Sequence, residues 1–173
     1  MRFVSGMLFT LGMLVVGGAA VVASGLVDMS ATRPPSALER LVGSVLADRS
    51  TARRAPRTGN PLPGTPEVLA AGLALYRRDC LQCHGAPGVS PWGAALGLNP
   101  SPPDLAAPDA QEGSDGDLFF VISHGVRMTG MPGWATSHDE RELWHLVAFV
   151  RHLPRLAPAE KQALKAAAEA ARR

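Results

Sequence analysis

The chain has 173 residues, enough for one domain with a real core plus attachments, and 46% of them are hydrophobic. Its formal charge of +2 is unevenly spread: +1 over residues 1–27, +3 over 28–61, −4 over 62–157 and +2 over 158–173. The segment with the best core patterning is therefore acidic between basic appendages. No basic groove with interleaved aromatics is present, which argues against nucleic acid as a partner.

The chain opens on an uncharged run, Phe3–Val27. Roughly 20 apolar residues cross a bilayer as a helix, whereas the apolar stretch of a secretory signal is usually about 7–15 residues. Residues 1–30 are thus expected to be a retained membrane anchor. The rival is a signal peptide cleaved near Val21-Val22-Ala23. Residues 31–64 read as a linker. Ser36 and Glu39 form a candidate capping box, and Leu38, Leu41, Val42, Val45 and Leu46 follow helical spacing on one face. From Asp48 to Gly64 the Arg, Thr, Pro and Gly content predicts a flexible tether.

Thr65-Pro66-Glu67 is a helix start, with a Thr cap, Pro in the first turn and an acid beside it. Val68, Leu69, Gly72, Leu75 and Tyr76 form the apolar face of the helix that follows. Gly72 costs that helix about 1 kcal/mol against Ala, so a packing reason is expected. The helix delivers Cys80-Leu81-Gln82-Cys83-His84. Cys-x-x-Cys-His reads as covalent c-type haem attachment through Cys80 and Cys83, with His84 supplying an axial imidazole to the iron. A zinc site lacks two ligands, since these are the only cysteines. A thioredoxin-like pair would need a βαβ context that is missing.

Gly85 to Pro108 is rich in Gly and Pro and reads as one long loop. Ser114 to His124 predicts a short helix stopped by Gly125. Gly130-Met131-Pro132-Gly133-Trp134 then offers a thioether on a constrained loop, with Met128 as a competitor. Ser137 with Glu140 predicts the cap of a helix that Pro154 stops, with Leu143, Leu146, Val147 and Val150 on its apolar face. His124, His138, His145 and His152 read as surface or boundary histidines. The Ala-rich tail, 158–173, has only Leu164 as a large apolar residue and is expected to be helical or frayed.

From about Thr65 to Leu156 the chain resembles the single-haem class I cytochromes c. The resemblance rests on Gly72 and Tyr76, the Cys80–His84 motif, Pro102-Pro103-Asp104-Leu105, Gly130–Trp134, and the helix from Trp144 to Leu153. It implies an all-α cytochrome c fold over 65–157, here with an amino-terminal transmembrane helix. It also implies one haem c with its iron, and Met131 as the second axial ligand. Pro103 would accept the N–H of His84, and Gly72 and Tyr76 would cross Phe149. Trp134 is a candidate for the haem surroundings. Both axial positions closed means an electron carrier rather than an enzyme, working between redox protein partners at a membrane. The expected setting is a bacterial inner membrane, crossed once, with the haem domain on the periplasmic side or soluble there if the leader is cleaved. A haem enzyme or gas sensor with an open sixth position is the alternative.

Overall fold

A computed structural model describes residues 2–172, so Met1 and Arg173, at the ends of the expected anchor and tail, lie outside the described residues. Among the described residues, seven α-helices are joined by loops and short 3-10 turns, and the only β-type pairing is one isolated bridge, Ala86 to Val89. Two compact units separate between Arg33 and Pro34. The first holds helix α1 (Arg2–Ala23), of which Phe3–Ala23 is long and apolar enough to be a candidate membrane span.

The second unit is built on the crossing of α3 (Pro66–Asp79) and α6 (Glu140–His152), its most extensive helix contact. The crossing is close because Gly72 has no side chain. A Cβ there would lie 2.2 Å from the His145 carbonyl oxygen and 2.7 Å from the Phe149 Cβ. One turn on, Tyr76 is fully buried with its ring centroid 5.3 Å from that of Phe149. The expected Gly–aromatic contact is thus present. Leu146, Val147 and Phe149 on α6, with Leu153 just past its end, are each 0% exposed and form the centre of the core.

Two expectations change, and the tail, read as helical or frayed, takes its helical form. The cap of α6 is Asp139 with Glu142, not Ser137 with Glu140; a carboxylate closes the box while the Ser137 hydroxyl turns to His138. The tail is helix α7 (Pro158–Ala171), docked on α3 with Leu164 at 0% and Ala168 at 1% exposure. One leucine and a row of alanines suffice there because small side chains let the helix approach closely. Finally, helix α2 (Ala37–Arg54) runs well past Asp48, capped by Ser36 and Glu39 as its sequence predicts. The chain after it lies on the domain: Asn60 takes its backbone N–H to Asp115 Oδ2 (3.0 Å) and its Nδ2 to the Trp144 carbonyl (2.9 Å). One asparagine thereby turns a proline-rich tether into an ordered strap.

Candidate haem site

Helix α3 ends at Cys80, and the one-turn helix α4 (Leu81–His84) carries Cys83 and His84 before Gly85, at φ +62°, turns the chain away. Both cysteines are unpaired and half-buried. Burial first, then the nearby Asp79 and Cys83, pushes the Cys80 thiol up to about 12. A reactive redox thiol needs the opposite shift, so the burial of Cys80 disfavours the thioredoxin-like reading.

His84 Nδ1 lies 2.9 Å from the Pro103 carbonyl oxygen. A carbonyl can only accept, so Nδ1 carries the proton and Nε2 presents its lone pair. Burial holds this imidazole below its usual pKa, against the opposing pull of the Pro103 bond, which keeps the ring neutral near pH 7. A neutral ring fixed through its far nitrogen is the form that ligates a metal. Behind it, Tyr76 donates its hydroxyl proton to the Gly85 carbonyl, and Trp92 N–H bonds back to the Gln82 carbonyl at 3.1 Å.

The second candidate ligand sits on a loop held between glycines. At Gly125, φ +68°, a Cβ would come within 2.5 Å of the Met131 carbonyl oxygen, and one on Gly133 within 2.8 Å of His124 backbone. Val126 N–H bonds to the Met131 carbonyl (3.3 Å), and Met131 N–H to Thr129 Oγ1 (3.1 Å). Met131 and Trp134 pack half-buried on the core cluster that also receives Cys80 and Leu105. Met128 is 80% exposed at the tip of the turn, with φ 61°. The two methionines, equal by type, are separated by burial.

The other histidines are engaged elsewhere. His124 bonds the Phe120 carbonyl, and His152 lies 3.1 Å from Glu160. His138, read as a surface or boundary histidine, sits at the boundary with its side chain 3% exposed. It stands 3.1 Å from Asp79 Oδ2 and 2.9 Å from Ser137 Oγ, edge-on to Trp134 at 5.4 Å. This pair pins the residue before Cys80 to the end of the Met131 loop. Nothing local signals it, because Asp79 and His138 are far apart in the chain.

These residues fit a haem. They offer two thiols on one turn, a neutral oriented imidazole, a half-buried thioether and an apolar floor. Among the described residues, Ser123 Oγ on α5 (Asp115–His124), whose backbone lies against Gly133 of that loop, and Trp144 Nε1 on α6 are buried without a partner. Unpaired polar atoms there suit a ligand that brings polar groups of its own.

The family model described as cytochrome c oxidase, cbb3-type, subunit III, matches residues 67–150. That match and the all-helical fold support a c-type cytochrome domain over this segment, a kind of domain that holds covalently bound haem c with its iron. No curated protein matches the chain. A solved structure, the Kuenenia stuttgartiensis reducing HAO-like protein complex Kustc0457/Kustc0458, is similar at 26% identity over 57% of this chain, with a TM-score of 0.48. The match spans half of that chain's length.

Proposed function

We propose that the protein is a membrane-tethered monohaem electron carrier, with His84 and Met131 as axial ligands and Cys80 and Cys83 as attachment points. The observation that carries this reading is the His84–Pro103 contact of 2.9 Å one residue after the cysteine pair. It orients an imidazole before any ligand arrives. When bound, haem supplies a one-electron iron couple. The chain's own part is to hold that couple steady. Pro103 fixes the ring of His84 and raises its basicity. The Gly125–Gly133 clamp holds Met131 in place, and Met/His ligation would favour the reduced state of a bound haem. A steady ligand set lowers the reorganisation that each electron transfer requires. Pro103 and Trp134 belong to the haem surroundings in this reading, and no substrate-binding or catalytic group is called for.

The candidate span Phe3–Ala23 supports the tether. The natural setting is a bacterial inner membrane, with the haem domain on the periplasmic side, in a respiratory chain or as the haem subunit of an oxidase or dehydrogenase complex. Its partners are redox proteins on that membrane.

The test is the weak long-wavelength absorption band of thioether-to-iron ligation in the oxidised protein. Met131→Ala is expected to abolish it and Met128→Ala to leave it intact. The reverse pattern would move the ligand to Met128, and no band in the unmodified protein would favour an open sixth position.

A further inference from the structure

Helix α2 is attached to the domain by the wrong face for a core helix. Its half-buried positions are the small residues Ala47, Ser50 and Thr51, and the chain just beyond presses the Pro56 carbonyl against Gly116 on α5, where a Cβ would find no room. Its large apolar side chains point away. Leu38, Leu41, Val42, Val45 and Leu46 are 69%, 60%, 48%, 48% and 65% exposed. They form one helical stripe, and at the same spacing Arg49 and Arg53 continue it toward the carboxyl end. A contiguous apolar patch of this kind marks an interaction surface.

We propose that this face of α2 lies in the interface of a bilayer containing anionic phospholipid. The aliphatic stripe would sit at the acyl boundary, with Arg49 and Arg53 against phosphates. The inference rests on the membrane-tethered reading and adds an orientation to it. Three observations favour lipid over a protein partner. Residues 24–36, all that separates the candidate span from α2, reach at most about 45 Å when fully extended, so α2 cannot leave the neighbourhood of the surface. The stripe is wholly aliphatic, without the aromatic anchors that concentrate binding energy at protein interfaces. An apolar face joined to arginines is the composition of helices that lie in the membrane plane. Because Asn60 and the Pro56–Gly116 contact fix the end of α2 to the domain, the haem domain would be held at one tilt to the membrane instead of tumbling on a leash.

The experiment uses full-length haem-loaded protein in vesicles of phosphatidylethanolamine and phosphatidylglycerol. A benzophenone amino acid is placed at Leu41, or at Ala47 on the domain-facing side. Irradiation is expected to give a phospholipid adduct from position 41, lost at position 47. Leu38 labelled in the same way should lose its adduct in the Leu41→Gln, Val45→Gln double variant, with the haem spectrum unchanged. A chain that stays in carbonate-washed vesicles but forms no lipid adduct, or links to a second polypeptide, would overturn the inference and leave the tether standing. Release of the chain by carbonate would overturn both.

Discussion

Gly72 shows how a single side chain sets the site. Adding a methyl group there would drive it into the His145 carbonyl, which is backbone and cannot swing aside. Gly72→Ala is therefore expected to destabilise the domain by about 1–3 kcal/mol despite the better helix propensity of Ala. Denaturant unfolding followed by circular dichroism would measure it, and a gain in stability would mean that α3 and α6 cross elsewhere. Asp115 is the second residue whose role can be tested directly. Burial opposes its ionisation, but the Asn60 N–H and Arg151, whose Nε is 2.8 Å away, outweigh burial and hold the carboxyl below its ordinary value. A folded-state pKa below the unfolded one gives stability that is present above about pH 4 and lost as pH falls through the lower folded value. Asp115→Asn should flatten the acid limb of a plot of urea midpoint against pH. An unchanged limb would show that other carboxylates dominate acid unfolding.

Among the elements, α7 departs furthest from its sequence. Composition predicts a tail that can fray, yet Leu164 is fully buried and Arg172 lies over the Trp92 ring at 4.9 Å and bonds the Ser90 carbonyl at 2.6 Å. The tail thus braces the loop that follows the Cys80–His84 segment. Leu164→Ala is expected to cost about 2–5 kcal/mol, measured by urea titration of the haem-loaded protein. A change near zero would return α7 to a frayed end. The short helices need less support from afar. Thr65 caps α3 as its sequence predicts, and Ser114 caps α5 with Asp117.

At the scale of the molecule, the packing of α2 and α7 changes the electrostatics. Residues 62–157 alone carry six Arg against ten Asp and Glu. The folded unit from Pro34 to Arg172 carries fourteen Arg and Lys against fourteen Asp and Glu. Net charge therefore gives little steering, and local charge beside the haem segment matters more. Arg172, seated on Trp92, is the cation placed to act there. Arg172→Glu is expected to speed electron transfer to a small cationic partner and slow it to an anionic one. Arg53→Glu on α2 should change both far less. The difference should fade as salt rises, since screening already acts over about 10 Å at 0.1 M. Stopped-flow rates on full-length protein at several ionic strengths would decide, and equal responses of the two variants would place electron exit away from the Trp92 side.

What the sequence determined by itself is the chemistry carried by short spacing. Two thiols and an imidazole within five residues, a Met–Pro turn between glycines, Gly72 one turn from Tyr76, and the caps of α2, α3 and α5 are all local. Helix geometry alone places such neighbours. The tertiary structure decided the long-range pairs: Asn60 with Asp115 and Trp144, His138 with Asp79, Arg172 with Trp92, and which of two methionines is buried. Each joins residues dozens of positions apart through one polar or apolar contact. Such a contact exists only after α3 and α6 have crossed, and neither composition nor periodicity records it.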